Sequence, residues 1–308
     1  MKISVDGGAL NQKNNRHFGT SVFSENLVAA LKKYDKNNKY FIYTFDNLRP
    51  KLFWLKGRVS LEEFRRKKDI FLALNQAIPL FTSGKIISFC HGLSYYFCPQ
   101  YYSKKDVIRL NEQLKEMIKK SNIIIVSSQK VKNELVLMYQ YIKTKVVVLP
   151  FGIPFDMKRN KEKKRMKFFL YIGMDHPIKN IDFIKEAFKK FKGSKEFKDH
   201  KLILVTKNCP RKKLCRLYKN AAALLTASHY ESFNFPVLEA LSQGCPVIGL
   251  KSAIIPELKP YVNLAGNIES FVEKMKKITK KPDARSISRL YGKFNWKNYV
   301  KNLVRLYK

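Results

Sequence analysis

Apolar residues along this chain alternate between short unbroken runs and longer stretches where they recur at helical spacing. The runs at 2–5, 40–45, 85–90, 122–126, 145–149, 168–172, 202–205, 221–225 and 245–250 read as buried strands. Between the first two, Phe23, Leu27, Ala30, Leu31 and Tyr34 recur at i, i+4, i+7, i+8 and i+11. That stripe predicts a helix laid on a sheet, with Thr20 or Ser21 as its cap. Val107, Leu110, Leu114, Met117 and Ile118 mark a second helix, and Ile181, Ile184, Phe188 and Phe191 another. Ser127-Ser128 can cap the helix after strand 122–126, while 268–278 and 299–307 read as helices near the end of the chain. Strands alternating with helices through short connections predict parallel sheets of the α/β class. One stretch stays open. Residues 55–81 carry Arg65, Arg66, Lys67 and Lys68 running into Ile70-Phe71-Leu72-Ala73-Leu74. They read either as a basic helix lying on an anionic membrane or as a core helix behind a solvated basic turn.

A length of 308 residues accommodates two domains with cores of their own. The segment 158–167, KRNKEKKRMK, is nearly all charged and separates two apolar strands, so the domain boundary is placed there. Domains of 1–157 and 168–295 follow. At 45% hydrophobic and 13% aromatic, the composition is that of a globular chain. No run reaches the roughly 20 apolar residues of a membrane span, and nothing before the first strand reads as a signal peptide. Five cysteines, an odd number without metal-ligand spacing, point to reduced thiols; Cys90 and Cys245 fall in strands as packing residues, and Cys209 and Cys215 lack a matching pair. A cytoplasmic protein is expected, peripheral at most on the cytoplasmic membrane face. The net charge of +37 favours polyanions: nucleic acid, anionic headgroups or phosphorylated substrates. It is spread along a Lys-, Asn- and Ile-rich chain, and no helix-turn-helix, RRM or zinc-finger pattern singles out a specific nucleic acid. Neither a G-x-G-x-x-G fingerprint nor a P-loop points to redox or ATP chemistry.

Candidate chemistry concentrates at 226–258, TASHYESFNFPVLEALSQGCPVIGLKSAIIPEL. A strand runs into the loop 228–235, Pro236 opens a helix as its first residue, and Gly244 ends it. In parallel α/β sheets ligands bind beyond the carboxyl ends of strands, where helix N-termini offer N–H groups to phosphate. Glu231 in the loop and Glu239 inside the helix would stand beside such an anion site. Asn234 suits a backbone position with φ > 0. Upstream, Gly173 follows a strand and Lys179-Asn180 lies just before a helix, where a cation can neutralise a diphosphate. Gly19 precedes the first helix in the same way, and His91 closes the strand 85–90.

These residues resemble glycosyltransferase family 4. Glu231 and Glu239 match its E-x7-E signature, with Glu231-Ser232-Phe233-Asn234-Phe235-Pro236 in place of the usual E-G-F-G-L-P. Gly173 and Lys179-Asn180 match a G-x5-K-N arrangement, with Ile178 where an Arg often stands. His91-Gly92-Leu93-Ser94-Tyr95 resembles the H-D-L-S-F-type segment of the family's mannosyltransferases, and Phe294-Asn295-Trp296 its terminal helix. Between strand 202–205 and Leu217-Tyr218, where the family usually inserts a further helix and strand, only 206–214 intervenes. The resemblance implies a GT-B fold of two Rossmann-like α/β domains, the first completed by helix 296–308, and hexose transfer with retention from a nucleoside diphosphate sugar. It implies catalytic roles for His91, Glu231 and Lys179. Donor binding falls to Gly19, Gly173, Lys179, Asn180, Glu231, Ser232, Phe233, Asn234, Phe235 and Glu239, with Glu231 and the 232–235 amides on the sugar and Glu239 on the ribose. GDP-mannose is favoured over a UDP-hexose, and the acceptor is a glycan, lipid-linked or protein-linked hydroxyl. No cofactor is implied, and without a D-x-D-type pair no metal either. Rival readings are a sugar-nucleotide binder without turnover and a basic nucleic-acid-binding protein; the oligomeric state stays open, a dimer included.

Overall fold

A computed structural model describes residues 1–10, 19–49, 52–157, 166–277 and 284–308. Two compact units emerge, one of Met1–Phe151 with Trp296–Lys308, the other of Gly152–Asn295. Of the charged segment 158–167, residues 158–165 lie outside the described residues. No helix among the described residues is long and apolar enough to cross a membrane.

The first unit is built on β1 (Lys2–Asp6), α1 (Gly19–Tyr34), β2 (Lys39–Tyr43), α2 (Ser60–Arg65), β3 (Ile70–Ala73), β4 (Lys85–Cys90), α3 (Ser94–Phe97), α4 (Lys104–Lys120), β5 (Ile123–Val126), α5 (Gln129–Met138) and β6 (Val146–Val148). Its six strands pair in parallel in the order β2-β1-β3-β4-β5-β6. The predicted stripe of α1 is buried at Phe23, Leu27, Ala30 and Leu31. Ser128 caps α5 by accepting the Val131 N–H, as its placement after strand 122–126 suggested. Thr20 and Ser21 do not cap α1: the helix already runs from Gly19, so both lie inside its first turn.

The open stretch 55–81 resolves differently from either reading. A π-helical turn, Trp54–Val59, runs straight into α2, and Ile70–Ala73 is β3, fully buried between β1 and β4. Ile70–Ala73 therefore belongs neither to a core helix nor to a membrane-lying one. Five apolar residues in a row carry no period that separates strand from helix, and pairing on both sides decided for the strand.

The second unit contains β7 (Phe168–Ile172), α6 (Ile181–Lys192), β8 (Lys201–Val205), α7 (Arg211–Asn220), β9 (Ala223–Thr226), α8 (Phe235–Ser242), β10 (Val247–Leu250), β11 (Asn263–Ala265), α9 (Ile268–Lys276) and α10 (Ala284–Lys293). The sheet order is β11-β10-β9-β7-β8, again all parallel. On one face Phe169, Ile184, Phe191 and Phe271 fill the core with α6 and α9. The final helix, α11 (Trp296–Arg305), packs on α1 in the first unit, where Trp296 and Tyr299 stand beside Phe23. In the second unit β7 and β9 are neighbours although β8 lies between them in sequence, so their carboxyl ends flank a topological switch point.

Candidate active site

Two loops leave that switch point. The one after β7 starts at Gly173, whose N–H bonds the Val205 carbonyl at 3.2 Å, and ends in a 3-10 turn, Pro177–Lys179. The one after β9 carries Ser228 and Glu231. They are tied together by the backbone: the N–H of His229 bonds the Ile178 carbonyl at 2.8 Å. Asn180 adds a second tie, its Nδ2 donating to the Ala227 carbonyl at 3.2 Å. It sits at φ 52°, ahead of the first turn of α6, where an Asn is accommodated and a branched residue would be strained.

Lys179 Nζ donates to Glu231 Oε1 at 2.8 Å, and Ser228 Oγ donates to the same oxygen at 2.7 Å. The two charged side chains are 21% and 11% exposed, enough contact with water for a polar ligand to reach them. Residues 52 positions apart thus form one acid–base pair beside the N-terminus of α6. Such a pair offers a cation to an anionic leaving group and a carboxylate to hydroxyls.

Asn234 adopts φ 69° and caps α8, its side chain accepting the Val237 N–H at 3.3 Å. Helix α8 begins one residue earlier than expected, at Phe235, so Pro236 is its second residue, where a missing N–H is equally harmless. Gly244, at φ 69°, follows the helix end as read. Phe233 and Phe235 turn inward, 3% and 8% exposed, with rings 5.4 Å apart. Their side chains are core, which leaves only the backbone groups of 233 and 235 to face a ligand. Ser232 is half-buried in the same loop.

Glu239 does not join the Lys179–Glu231 pair. It is 3% exposed; Arg211 Nη2 donates to its Oε1 at 2.7 Å and Tyr218 Oη to its Oε2 at 2.8 Å. Arg211 in turn grips Asp156 through two bonds, Nε at 2.6 Å and Nη2 at 2.9 Å. Burial pushes the Glu239 carboxyl up, with Arg211 acting against it; burial and the Glu239 charge together raise the Tyr218 hydroxyl. Arg211 stays protonated because its bonds to Asp156 and the Glu239 charge outweigh the loss of hydration. Nothing in the sequence pattern pointed to Arg211, Tyr218, Asp156 or Ser228. Each meets its partner only through the fold.

Gly19 and His91 belong to the other unit. Gly19 is the exposed first residue of α1, and residues 11–18 before it lie outside the described residues. His91 leaves the carboxyl end of β4 with its ring against Phe23 and Phe151, at centroid distances of 5.0 and 6.0 Å. Its Nε2 bonds the Leu74 carbonyl at 2.7 Å; since a carbonyl only accepts, the proton is on Nε2 and Nδ1 keeps its lone pair in the neutral ring. Loss of hydration lowers the His91 pKa below its ordinary value, with the Leu74 carbonyl partly offsetting this. Between the lowered value and about 6.5 the unfolded chain binds the proton and the folded one does not. This ring's contribution to stability is therefore present above that window and lost as the pH falls through it. Nitrogen NMR of labelled histidine should show an Nε2–H tautomer at pH 7 that titrates below the free-imidazole midpoint; titration above it would contradict this placement.

A hollow of about 620 Å³ also opens in the second unit, lined among others by Lys167, Lys201, Ile203, Lys213, Arg216 and Leu217. It lies at the amino ends of β7 and β8, the opposite end of the sheet from the Lys179–Glu231 pair, and none of the candidate residues borders it.

The family model for Glycosyl transferases group 1 matches residues 195–293. A probable sucrose-phosphate synthase from Thermosipho melanesiensis is 26% identical over 241 residues, covering 65% of this chain and 57% of that protein. The O-antigen chain mannosyltransferase B of Escherichia coli is 21% identical over 261 residues, 71% of this chain and 68% of its own length. Among solved structures, the sucrose-phosphate synthase of Thermosynechococcus elongatus superposes with a TM-score of 0.70 at 14% identity, over 100% of this chain and 98% of that one. The chain thus spans little more than half the length of the first of these relatives. Residues 195–293 are thus similar to Glycosyl transferases group 1, and the protein has the α/β architecture of the GT-B class.

Proposed function

We propose that this protein is a retaining glycosyltransferase of family 4 that moves a hexose from a nucleoside diphosphate sugar to an acceptor hydroxyl. The observation carrying this reading is the Lys179–Glu231 pair at the β7/β9 switch point, held by Ser228 and two loop ties. Lys179 and the N-terminus of α6 take the diphosphate, so that its charge is met by the protein without a metal. Glu231 and the backbone of 232–235 take the sugar hydroxyls, with Gly173 and Asn180 shaping the loop around the phosphates. Glu239 accepts the ribose hydroxyls when Arg211 yields one carboxylate oxygen. His91, neutral and with a free lone pair on Nδ1, is assigned to the donor sugar, and Gly19 to the donor as well.

In the reaction the bond from the sugar's anomeric carbon to the leaving phosphate oxygen breaks, its electron pair passing to the diphosphate. The acceptor oxygen bonds to that carbon from the same face, and its proton goes to the departing phosphate. Lys179 is placed to stabilise the charge that grows on the leaving group. The donor is assigned as GDP-mannose, supported by the likeness to an O-antigen chain mannosyltransferase and by the segment at His91. The acceptor is a glycan, free or carried on lipid or protein, and the enzyme acts in the cytoplasm. Calorimetric titration with GDP-mannose, UDP-glucose and UDP-GlcNAc tests this: GDP-mannose should bind at least tenfold more tightly than the other two. Preference for a UDP-sugar would replace the donor, and no binding of any of the three would remove the transferase reading.

A further inference from the structure

The basic run at 65–68 does adjoin an exposed apolar surface, but not the one its sequence neighbours suggested. Residues 54–65 form one helical stretch, the π-helical turn Trp54–Val59 continued by α2. Trp54, Val59, Ser60 and Glu63 face inward, whereas Arg58, Leu61, Phe64 and Arg65 are exposed, at i, i+3, i+6 and i+7. A surface helix ordinarily turns polar residues to water. Here the outward stripe is half apolar, with Leu61 38% and Phe64 68% exposed. The segment before β4 extends it. Leu80 is 65% and Phe81 44% exposed, and the Phe81 ring stands edge-on to that of Phe64 at 5.8 Å. Ser60 Oγ accepts the Phe81 N–H at 3.2 Å, tying this segment to the helix, and Lys120 Nζ of α4 donates to the carbonyls of Pro79 and Leu80, both at 3.3 Å.

Around these four apolar side chains stand Arg58, Arg65, Arg66 and Lys67, all exposed. Most acidic neighbours are turned away or paired: Glu63 is buried on Tyr43 Oη, Glu62 is 22% exposed and pairs with Arg66, and Glu116 serves Lys56 and Lys120, while Asp69 is exposed and accepts the Lys2 N–H at 2.7 Å. We propose that Leu61, Phe64, Leu80 and Phe81, ringed by Arg58, Arg65, Arg66 and Lys67, form a docking surface for an anionic lipid bilayer. Aromatic rings enter the headgroup boundary while the arginines meet the lipid phosphates, each charge adding about fivefold in affinity. A second copy fits less well, because a two-fold contact would set these cations against themselves. A nucleic acid would use the cations but leave the four apolar side chains in water. The proposal does not depend on the transferase reading, since docking needs no donor.

Vesicle co-sedimentation at physiological salt tests it, with phosphatidylglycerol-containing and pure phosphatidylcholine vesicles. The protein should bind the anionic vesicles and not the neutral ones. The double variant Phe64→Ser/Phe81→Ser keeps every charge and should bind at least tenfold more weakly; Arg65→Gln/Arg66→Gln should lose a similar factor and much of the salt dependence. Equal binding by the double Phe variant and the wild type overturns the proposal, because the net charge of +37 would then suffice on its own. Phe64→Trp supplies a readout that needs no weakened variant: its added emission should shift to the blue on anionic vesicles, and an unshifted spectrum overturns the proposal. So does sedimentation equilibrium showing that the Phe pair closes a dimer in the absence of lipid.

Discussion

Lys179→Ala and Glu231→Gln should each lower kcat for hexose transfer by roughly 10²–10³-fold, the scale of losing one preorganised group from a transition-state site. The argument rests on where charge appears. A departing nucleoside diphosphate gains negative charge on the oxygen that leaves the sugar, and Lys179 stands just before the first residue of α6, held in place by Glu231. Glu231→Gln keeps the shape and the Ser228 bond but removes the charge that orients the lysine. The fold should survive both changes. The pair retains some contact with water and Glu231 keeps its Ser228 bond, so the loss should stay below the roughly 3–5 kcal/mol of a fully buried pair. Steady-state transfer assays beside thermal melts separate the two effects. Turnover within threefold of wild type in both variants would contradict the assignment.

Glu239→Ala should behave in the opposite manner, costing about 3–5 kcal/mol of stability. Its carboxylate is buried and satisfies two donors, Arg211 and Tyr218; removing it leaves a largely buried guanidinium with one partner lost and a buried hydroxyl with none. The penalty comes chiefly from what is left behind, not from the bond itself. Glu239→Ala/Arg211→Met should therefore recover part of the loss, since it removes the stranded charge as well. Urea denaturation of the three proteins is the check. A loss below 1 kcal/mol for Glu239→Ala would mean that Asp156 alone satisfies Arg211.

Much of the candidate site was legible from local chemistry. Asn234 and Gly244 both adopt positive φ where a loop enters and leaves α8, and residues that tolerate that backbone are few, so their identity carried the geometry. The strand–loop–helix order at 223–250 was readable for the same reason. Lys179 could be singled out only through its place before a helix and its spacing from Gly173, since a chain with 61 Lys and Arg offers little contrast. Three things were not legible. Ile70–Ala73 is a strand because β1 and β4 hydrogen-bond it on both sides, and five apolar residues in a row look the same in either structure. Glu239 meets Arg211 across 28 positions and two helices, and a pair of that kind leaves no periodic trace. The inward turn of Phe233 and Phe235 belongs with these, because an aromatic loop residue reads alike whether it faces a ligand or the core.

One titration bears on the central claim more directly than any other: GDP-mannose run into the wild type and into Lys179→Ala under identical conditions. At least a tenfold weaker Kd for the variant is expected, with Glu231→Gln weakened in the same direction. Equal affinity in all three proteins would mean that the diphosphate does not bind at the β7/β9 switch point.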